Sequence, residues 1–222
     1  MFSKIFKVLI IGLTFVSLFV SANTSKEVLY KGNYYNLALP KGFCDITDNS
    51  TGKFMKNFLN DTVGKTQLSF TAEVIFTKCG NENKLDIMPW GYISMMKNSN
   101  NTTQEKFNKY AAKNLNESLY KAAEDIVNTA ANKTLSEYDL SDSLDLKIDI
   151  AKPEILWSDS YSLIVYTRMN DSETLQDTLG ASILLPKVQI GVNLYDDVKN
   201  NPNILKMASK LNQAAKKIVE SN

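Results

Sequence analysis

The chain reads as an α+β protein in which a mainly antiparallel sheet is covered by a long central helix and a C-terminal helix. Three observations carry this. Several short runs alternate apolar and polar residues, the two-residue period of half-buried strands. Two longer segments, 103–132 and 203–219, repeat apolar residues at three- and four-residue steps, as helices packed by one face do. The strand-like runs in the second half follow one another through short polar turns, which favours antiparallel neighbours.

The N-terminus comes first in the chain and sets the compartment. Lys4 and Lys7 are the only charges before an apolar run over 8–20, which ends in Val20-Ser21-Ala22. At 1.5 Å per residue that run makes roughly 20 Å of helix, short of the roughly 30 Å hydrocarbon core of a bilayer. A positive start, a short apolar stretch and small residues at its end define a secretory signal peptide, cleaved after Ala22. The competing reading is an uncleaved anchor. Residues 23–222 then form a single α+β domain. No second run is apolar and long enough to span a bilayer, so stable membrane insertion is not expected after cleavage. Removing Lys4 and Lys7 turns a formal charge of +1 into −1, which gives no electrostatic reason to expect nucleic acid as a partner.

The domain opens with a predicted hairpin, 28–30 and 34–39, turned at Lys31-Gly32-Asn33 and stopped by Pro40. A short helix is expected over 52–59, with Phe54, Met55, Phe58 and Leu59 on one side. A strand over 67–77 follows, where Leu68, Phe70, Ala72, Val74 and Phe76 alternate with mostly polar neighbours. A weaker strand is expected over 92–96. The long helix 103–132 starts at a capping box, Thr102 as N-cap and Glu105 reaching back. Its stripe is Ala111, Leu115, Leu119, Ala122, Ile126 and Ala130. Further strands are expected over 144–150, 161–169, 179–185 and 188–194. The last helix turns Ile204, Ala208, Leu211, Ala215 and Ile218 inward.

Cys44 and Cys79 are the two cysteines, both in the exported part. An even count outside the cytoplasm favours a disulfide over two buried thiols. Closing a loop of about 36 residues contributes on the order of 4 kcal/mol in the chain-entropy account. With no histidine in the chain, Ser-His-Asp and Cys-His catalysis and His-based metal hydrolysis are excluded within it. No residue pattern implies a metal or a cofactor. Paired carboxylates remain for acid–base work: Asp139, Asp142 and Asp145, and Asp196 with Asp197. Their plainer reading is solvated surface. Arg168, the single arginine, is a candidate for a bidentate carboxylate contact with a ligand, or else for a structural ion pair. Trp90 and Tyr92, beside Pro89 and Gly91, are a candidate aromatic loop for a ligand or partner, or else a loop tucked under the sheet.

The segments Pro40-Lys41-Gly42-Phe43-Cys44-Asp45 and Phe76-Thr77-Lys78-Cys79 resemble a family of secreted or periplasmic bacterial proteins with no assigned activity. The order of elements is similar to the PsbP-like α/β/α sandwich. That resemblance implies an antiparallel sheet covered by helices and a bacterial periplasm, and brings no catalytic residues. The functional expectation is a periplasmic or secreted, non-catalytic binding module whose partner is a protein or envelope component. The alternative is a His-free hydrolase using paired carboxylates.

Overall fold

A computed structural model describes residues 25–62, 70–84, 87–98, 102–115, 147–171 and 174–222, and between them the helical positions Lys121, Glu124, Asp125, Asn128, Thr129, Asn132, Lys133 and Ser136. The export segment 1–22 and Asp139, Asp142 and Asp145 lie outside the described residues. The opening hairpin forms as the sequence predicts: β1 (Ser25–Tyr30) pairs antiparallel with β2 (Asn33–Ala38), with Tyr30 opposite Asn33. Its turn is two residues, Lys31 and Gly32, at φ 47° and 81°. Positive φ at both matches the twist of a tight hairpin, and Gly adopts it without a Cβ penalty.

The main sheet is built from β3 (Phe43–Asp45), β4 (Thr71–Lys78), β5 (Trp90–Lys97), β6 (Asp149–Ile150), β7 (Glu154–Ser158), β8 (Leu163–Asp171), β9 (Thr174–Leu184) and β10 (Val188–Asp197). Its order is β3-β4-β5-β10-β9-β8, and β6 and β7 share the outer edge of β8. Every pairing is antiparallel. Among the helices whose full extent is described, α1 (Ser50–Thr62), α2 (Gln104–Asn114) and α3 (Ile204–Ser221) go with it.

Side chains alternate across a strand, so the register assigns each residue to a face. Val74, Phe76, Ile93, Met95, Leu179, Ala181, Ile183, Ile190, Val192 and Leu194 share one face. Ala208, Leu211, Ala215 and Ile218 of α3 close over it, with Leu37 from the hairpin, in one large core. The opposite face has a smaller core under α1: Ile46, Met55, Ala72, Ile75, Ile87 and Tyr92. Helices on both faces of an antiparallel sheet make the expected α+β sandwich.

Four local expectations are corrected. The alternation over 67–77 puts Ala72, Val74 and Phe76 on one face, but a bulge between Ala72 and Val74 breaks the period. Ala72 therefore joins the smaller core and Val74 and Phe76 the larger. Trp90 and Tyr92 stand on β5, in mid-sheet, not on a loop. The strand β7 was hidden by its irregular burial, since its own register shifts between Ile155 and Trp157. The long helix does not run unbroken: α2 ends at Leu115, whose ψ of 80° leaves the helical region while its N–H still reaches the Ala111 carbonyl.

The start of α2 is also different. Thr103 is the N-cap and accepts from the Lys106 N–H, while Glu105 pairs with Lys109 instead of reaching back. The buried side of α2 is polar, Gln104 and Asn108. Gln104 continues the ladder of β9 just past the start of β8: Leu184 N–H donates to Oε1 at 2.8 Å and Nε2 donates to the Ser182 carbonyl at 3.2 Å. Asparagines at or beside strands act similarly, taking the N–H and the C=O of one residue together. Among them are Asn60 on Ala72, Asn128 on Ile148 and Asn222 on Asn36. Each occupies backbone groups that an open edge would offer to another chain.

Candidate functional site

The Cys44–Cys79 pair is a disulfide, S–S 2.01 Å, joining β3 to the turn after β4. Glu82 has an oxygen within 4.8 Å of both sulfurs, but sulfurs joined to each other are not thiolate ligands. The bridge fits an oxidising compartment outside the cytoplasm, and no described helix is long and apolar enough to cross a membrane.

Trp90 and Tyr92 belong to an aromatic stack on the α1 face. Trp90 lies 4.7 Å from Tyr195 between ring centroids, Tyr92 6.1 Å from Tyr195, and Phe70 6.0 Å from Tyr92. Register explains it, because Trp90 pairs with Tyr195 and Tyr92 with Asn193 on adjacent strands. Burial pushes both phenols above the ordinary tyrosine range. Tyr195 moves further because, beyond burial, a charge on Tyr92 and the hydrogen bond between the two hydroxyls both raise it, whereas that bond lowers Tyr92. Neither phenolate is accessible near neutral pH, so the stack acts by packing.

Arg168 stands opposite Asp177 in the β8–β9 ladder and its Nε donates to the Asp177 carboxylate at 2.9 Å. The Tyr166 hydroxyl donates to the same oxygen at 2.8 Å. Asp177 is 2% exposed, so its charge needs these donors. The structural ion pair describes what Arg168 does in this structure.

The acidic pair Asp196 and Asp197 is not the solvated surface the sequence suggests. Asp196 is buried on the α3 face because β10 continues through it, in register with Asp177. The two carboxylates engage different groups: Asp177 takes Tyr166 and Arg168, and Asp196 takes the Asn200 amide at 2.7 Å. Burial holds the Asp196 carboxyl above its ordinary range. Asp197 caps the 3₁₀ turn Val198–Asn200 by accepting the Lys199 N–H.

Asp159 is the acid that sequence reading missed. One carboxylate oxygen accepts the N–H groups of Tyr161 and Ser162, and the other accepts the Trp157 indole and the Asn212 amide. Burial pushes its pKa up, and these four donors overcome that and hold it below the ordinary range. It ties the β7–β8 turn to α3, and Asn108 of α2 reaches its backbone carbonyl at 2.8 Å. The signal was Trp-Ser-Asp-Ser-Tyr-Ser over 157–162, a turn composition with no chemical motif.

Two surface features remain. A shallow concavity of about 360 Å³ lies between the hairpin, the β9–β10 turn and the end of α3, lined by Tyr34, Tyr35, Leu185, Pro186, Lys187 and Asn222 among others. The second is a basic corner beside the disulfide. The turn closed by Phe43 N–H on the Pro40 carbonyl carries Lys41. Lys78 stands opposite Phe43 in the β3–β4 ladder. Lys210 of α3 places its ammonium 5.5 Å from the centre of the Phe43 ring, and Lys206 lies one turn before it.

The fold and its disulfide define a disulfide-bonded α+β sandwich with an antiparallel sheet. No family model matches the chain, and no curated protein sequence matches it. Among solved structures, the solution structure of cyanobacterial PsbP (CyanoP) from Synechocystis sp. PCC 6803 aligns over 94% of this chain and 96% of that chain, at 9% identity and a TM-score of 0.36. At that score the likeness carries no argument, and the fold class rests on the sheet and helices themselves.

Proposed function

We infer that this chain is a periplasmic or secreted, non-catalytic binding module acting on a protein or envelope component. The observation that carries the reading is how the buried charges are used. Among the described residues, Asp159, Asp177 and Asp196 are each engaged by separate structural donors, and although Asp177 stands opposite Asp196 in the β9–β10 ladder the two turn to different partners. A hydrolase working through paired carboxylates needs two that converge on one reacting bond. The disulfide supports the exported half of the reading.

Expressing the full chain with its own N-terminus in a bacterial host tests both halves. Export predicts a mature protein in the periplasm or medium, beginning at Asn23, whose cysteines resist alkylation until reduced. A cytoplasmic protein with free thiols sinks the address. Hydrolysis of any ester, glycoside or phosphoester substrate that is lost in both Asp177→Asn and Asp196→Asn, with the fold intact, sinks the non-catalytic reading.

A further inference from the structure

We propose that the corner formed by Lys41, Lys78, Lys206 and Lys210 around Phe43 is a binding site for a phosphate group. This rests on the reading of the chain as a binding module and names the chemistry that module recognises.

The four cations come from three parts of the chain and are brought together by the fold. The turn holding Lys41 is fixed twice, by Phe43 N–H to the Pro40 carbonyl at 3.1 Å and by Cys79 N–H to the Gly42 carbonyl at 3.0 Å. The disulfide locks the same junction. Lys78 projects beside Phe43 from the neighbouring strand. Lys210 lies against the Phe43 ring, and its nitrogen is 3.7 Å from where a Cβ would sit on Gly42.

None of the four makes an ion pair with a described residue, whereas Lys26, Lys56, Lys109 and Lys216 all do. In a chain of formal charge +1, such a cluster is not the by-product of a basic composition. Asp196 is within electrostatic reach of Lys78, but its carboxylate is taken by Asn200. Repulsion within the cluster is left standing, and the Lys210 ammonium feels it. Burial lowers its pKa first, and Lys206, Lys78 and Lys41 lower it further. A phosphate group relieves this. It brings negative charge and several acceptor oxygens to ammonium groups that donate in any direction, and the Phe43 ring holds one of them in place.

The test uses the oxidised mature protein at low salt, with pyrophosphate as the soluble probe and phosphatidylglycerol or phosphatidylcholine vesicles as the membrane probe. Pyrophosphate is expected to raise the melting temperature of the wild type and to bind in calorimetry. Each of Lys41→Gln, Lys206→Gln and Lys210→Gln should weaken that binding by about threefold or more, and the quadruple Lys→Gln variant should lose it. Without ligand, Lys210→Gln should melt no lower than wild type, because it removes repulsion. Lys53→Gln and Lys113→Gln, on exposed parts of α1 and α2, should bind as wild type does. Soluble binding with no preference between vesicles identifies a free phosphate compound as the source. Selective retention on phosphatidylglycerol identifies a lipid headgroup. Absence of binding to every probe, or binding that survives in the quadruple variant, overturns the site. The export and hydrolysis assays above are unaffected by that result, so failure of the site and failure of the binding-module reading are separable.

Discussion

The two faces of the main sheet are built by different rules. The face under α3 is apolar along the middle of every central strand, giving way to Asp177 and Asp196 only at one end, and Phe76, Ile93, Met95, Leu179, Ile183, Ile190, Leu194, Leu211 and Ile218 are fully buried there. The face under α1 is apolar only towards β3–β5. From Ser94 of β5 across β10 and β9 it carries Asn193, Thr178, Gly180 and Gly191. Burying a large aliphatic side chain is worth about 1.5–3 kcal/mol, so the first face holds most of the stability. The second keeps polar and glycine positions whose value is geometric. The difference teaches that α3, not α1, is the helix on which the fold depends.

The largest effect should come from Gly91. A Cβ there would sit 2.1 Å from the Asn193 carbonyl and 2.4 Å from the Phe76 ring. Both are fixed, one by the β5–β10 ladder and one by full burial, so neither can yield cheaply. Gly91→Ala should cost about 3 kcal/mol or more, as strain forced into a packed core does, read as a fall in the denaturation midpoint. A midpoint within experimental error of wild type would mean that the face under α3 is looser than its burial implies.

Next comes a paired comparison of the helices. Leu211→Ala on α3 should cost about 3 kcal/mol, within the range for a buried leucine. Met55→Ala on α1 should cost about 2 kcal/mol, because a smaller core at its margin collapses more readily. Urea denaturation of both variants settles the order. Equal or reversed losses would break the distinction between the faces.

What the sequence makes legible follows the same division. Alternation is clean where a strand has one apolar and one polar face, so β10 and the inward stripe of α3 are read from Val188, Ile190, Val192 and Leu194, and from Ala208, Leu211, Ala215 and Ile218. The turn at Lys31-Gly32 and the disulfide are local or compositional signals and survive without tertiary information. The bulge in β4 is not legible, because Ala72, Val74 and Phe76 keep an apolar period while the backbone changes face between them. Nor is the polar inner side of α2. Gln104 and Asn108 face inward because strand groups of β9 and the β7–β8 turn need partners, a demand that exists only after folding. The sites divide likewise. Arg168 is conspicuous as the lone arginine, whereas the lysine corner joins positions 41, 78, 206 and 210, whose proximity no spacing rule shows.

A smaller effect, of opposite sign, should come from the α1 face. Thr178 is buried there and its Oγ1 has no hydrogen-bond partner among the described residues. Valine has nearly the same shape and no group to desolvate. Thr178→Val should therefore stabilise by about 1 kcal/mol, seen as a higher midpoint with an unchanged denaturant slope. A loss of stability would show that the hydroxyl is satisfied and that this face is better completed than the comparison allows.

The smallest effects are in the acid limb of the stability curve, where two carboxyls of the α3 side act in opposite directions. Asp159 has its folded pKa held below the unfolded value, which for aspartate is about 3.9. The folded state therefore binds fewer protons there, and the stabilisation is present above the unfolded pKa and lost as pH falls through the folded one. Asp196 has its folded pKa raised. The folded state binds its proton more tightly, so its contribution is fully present below the unfolded pKa and lost as pH rises through the folded one. Asp159→Asn should flatten the fall in stability on acidification. Asp196→Asn should steepen it, because it removes the group that favours the folded state when protonated. Chemical denaturation from neutral pH down to about pH 3 reads both slopes, bracketing the unfolded aspartate pKa. If the two variants move the limb in the same direction, one carboxyl is held by partners other than those found here. Asp196 would be the first to re-examine, since only the Asn200 amide and the Asp197 backbone N–H donate to it, while Asp159 has four donors.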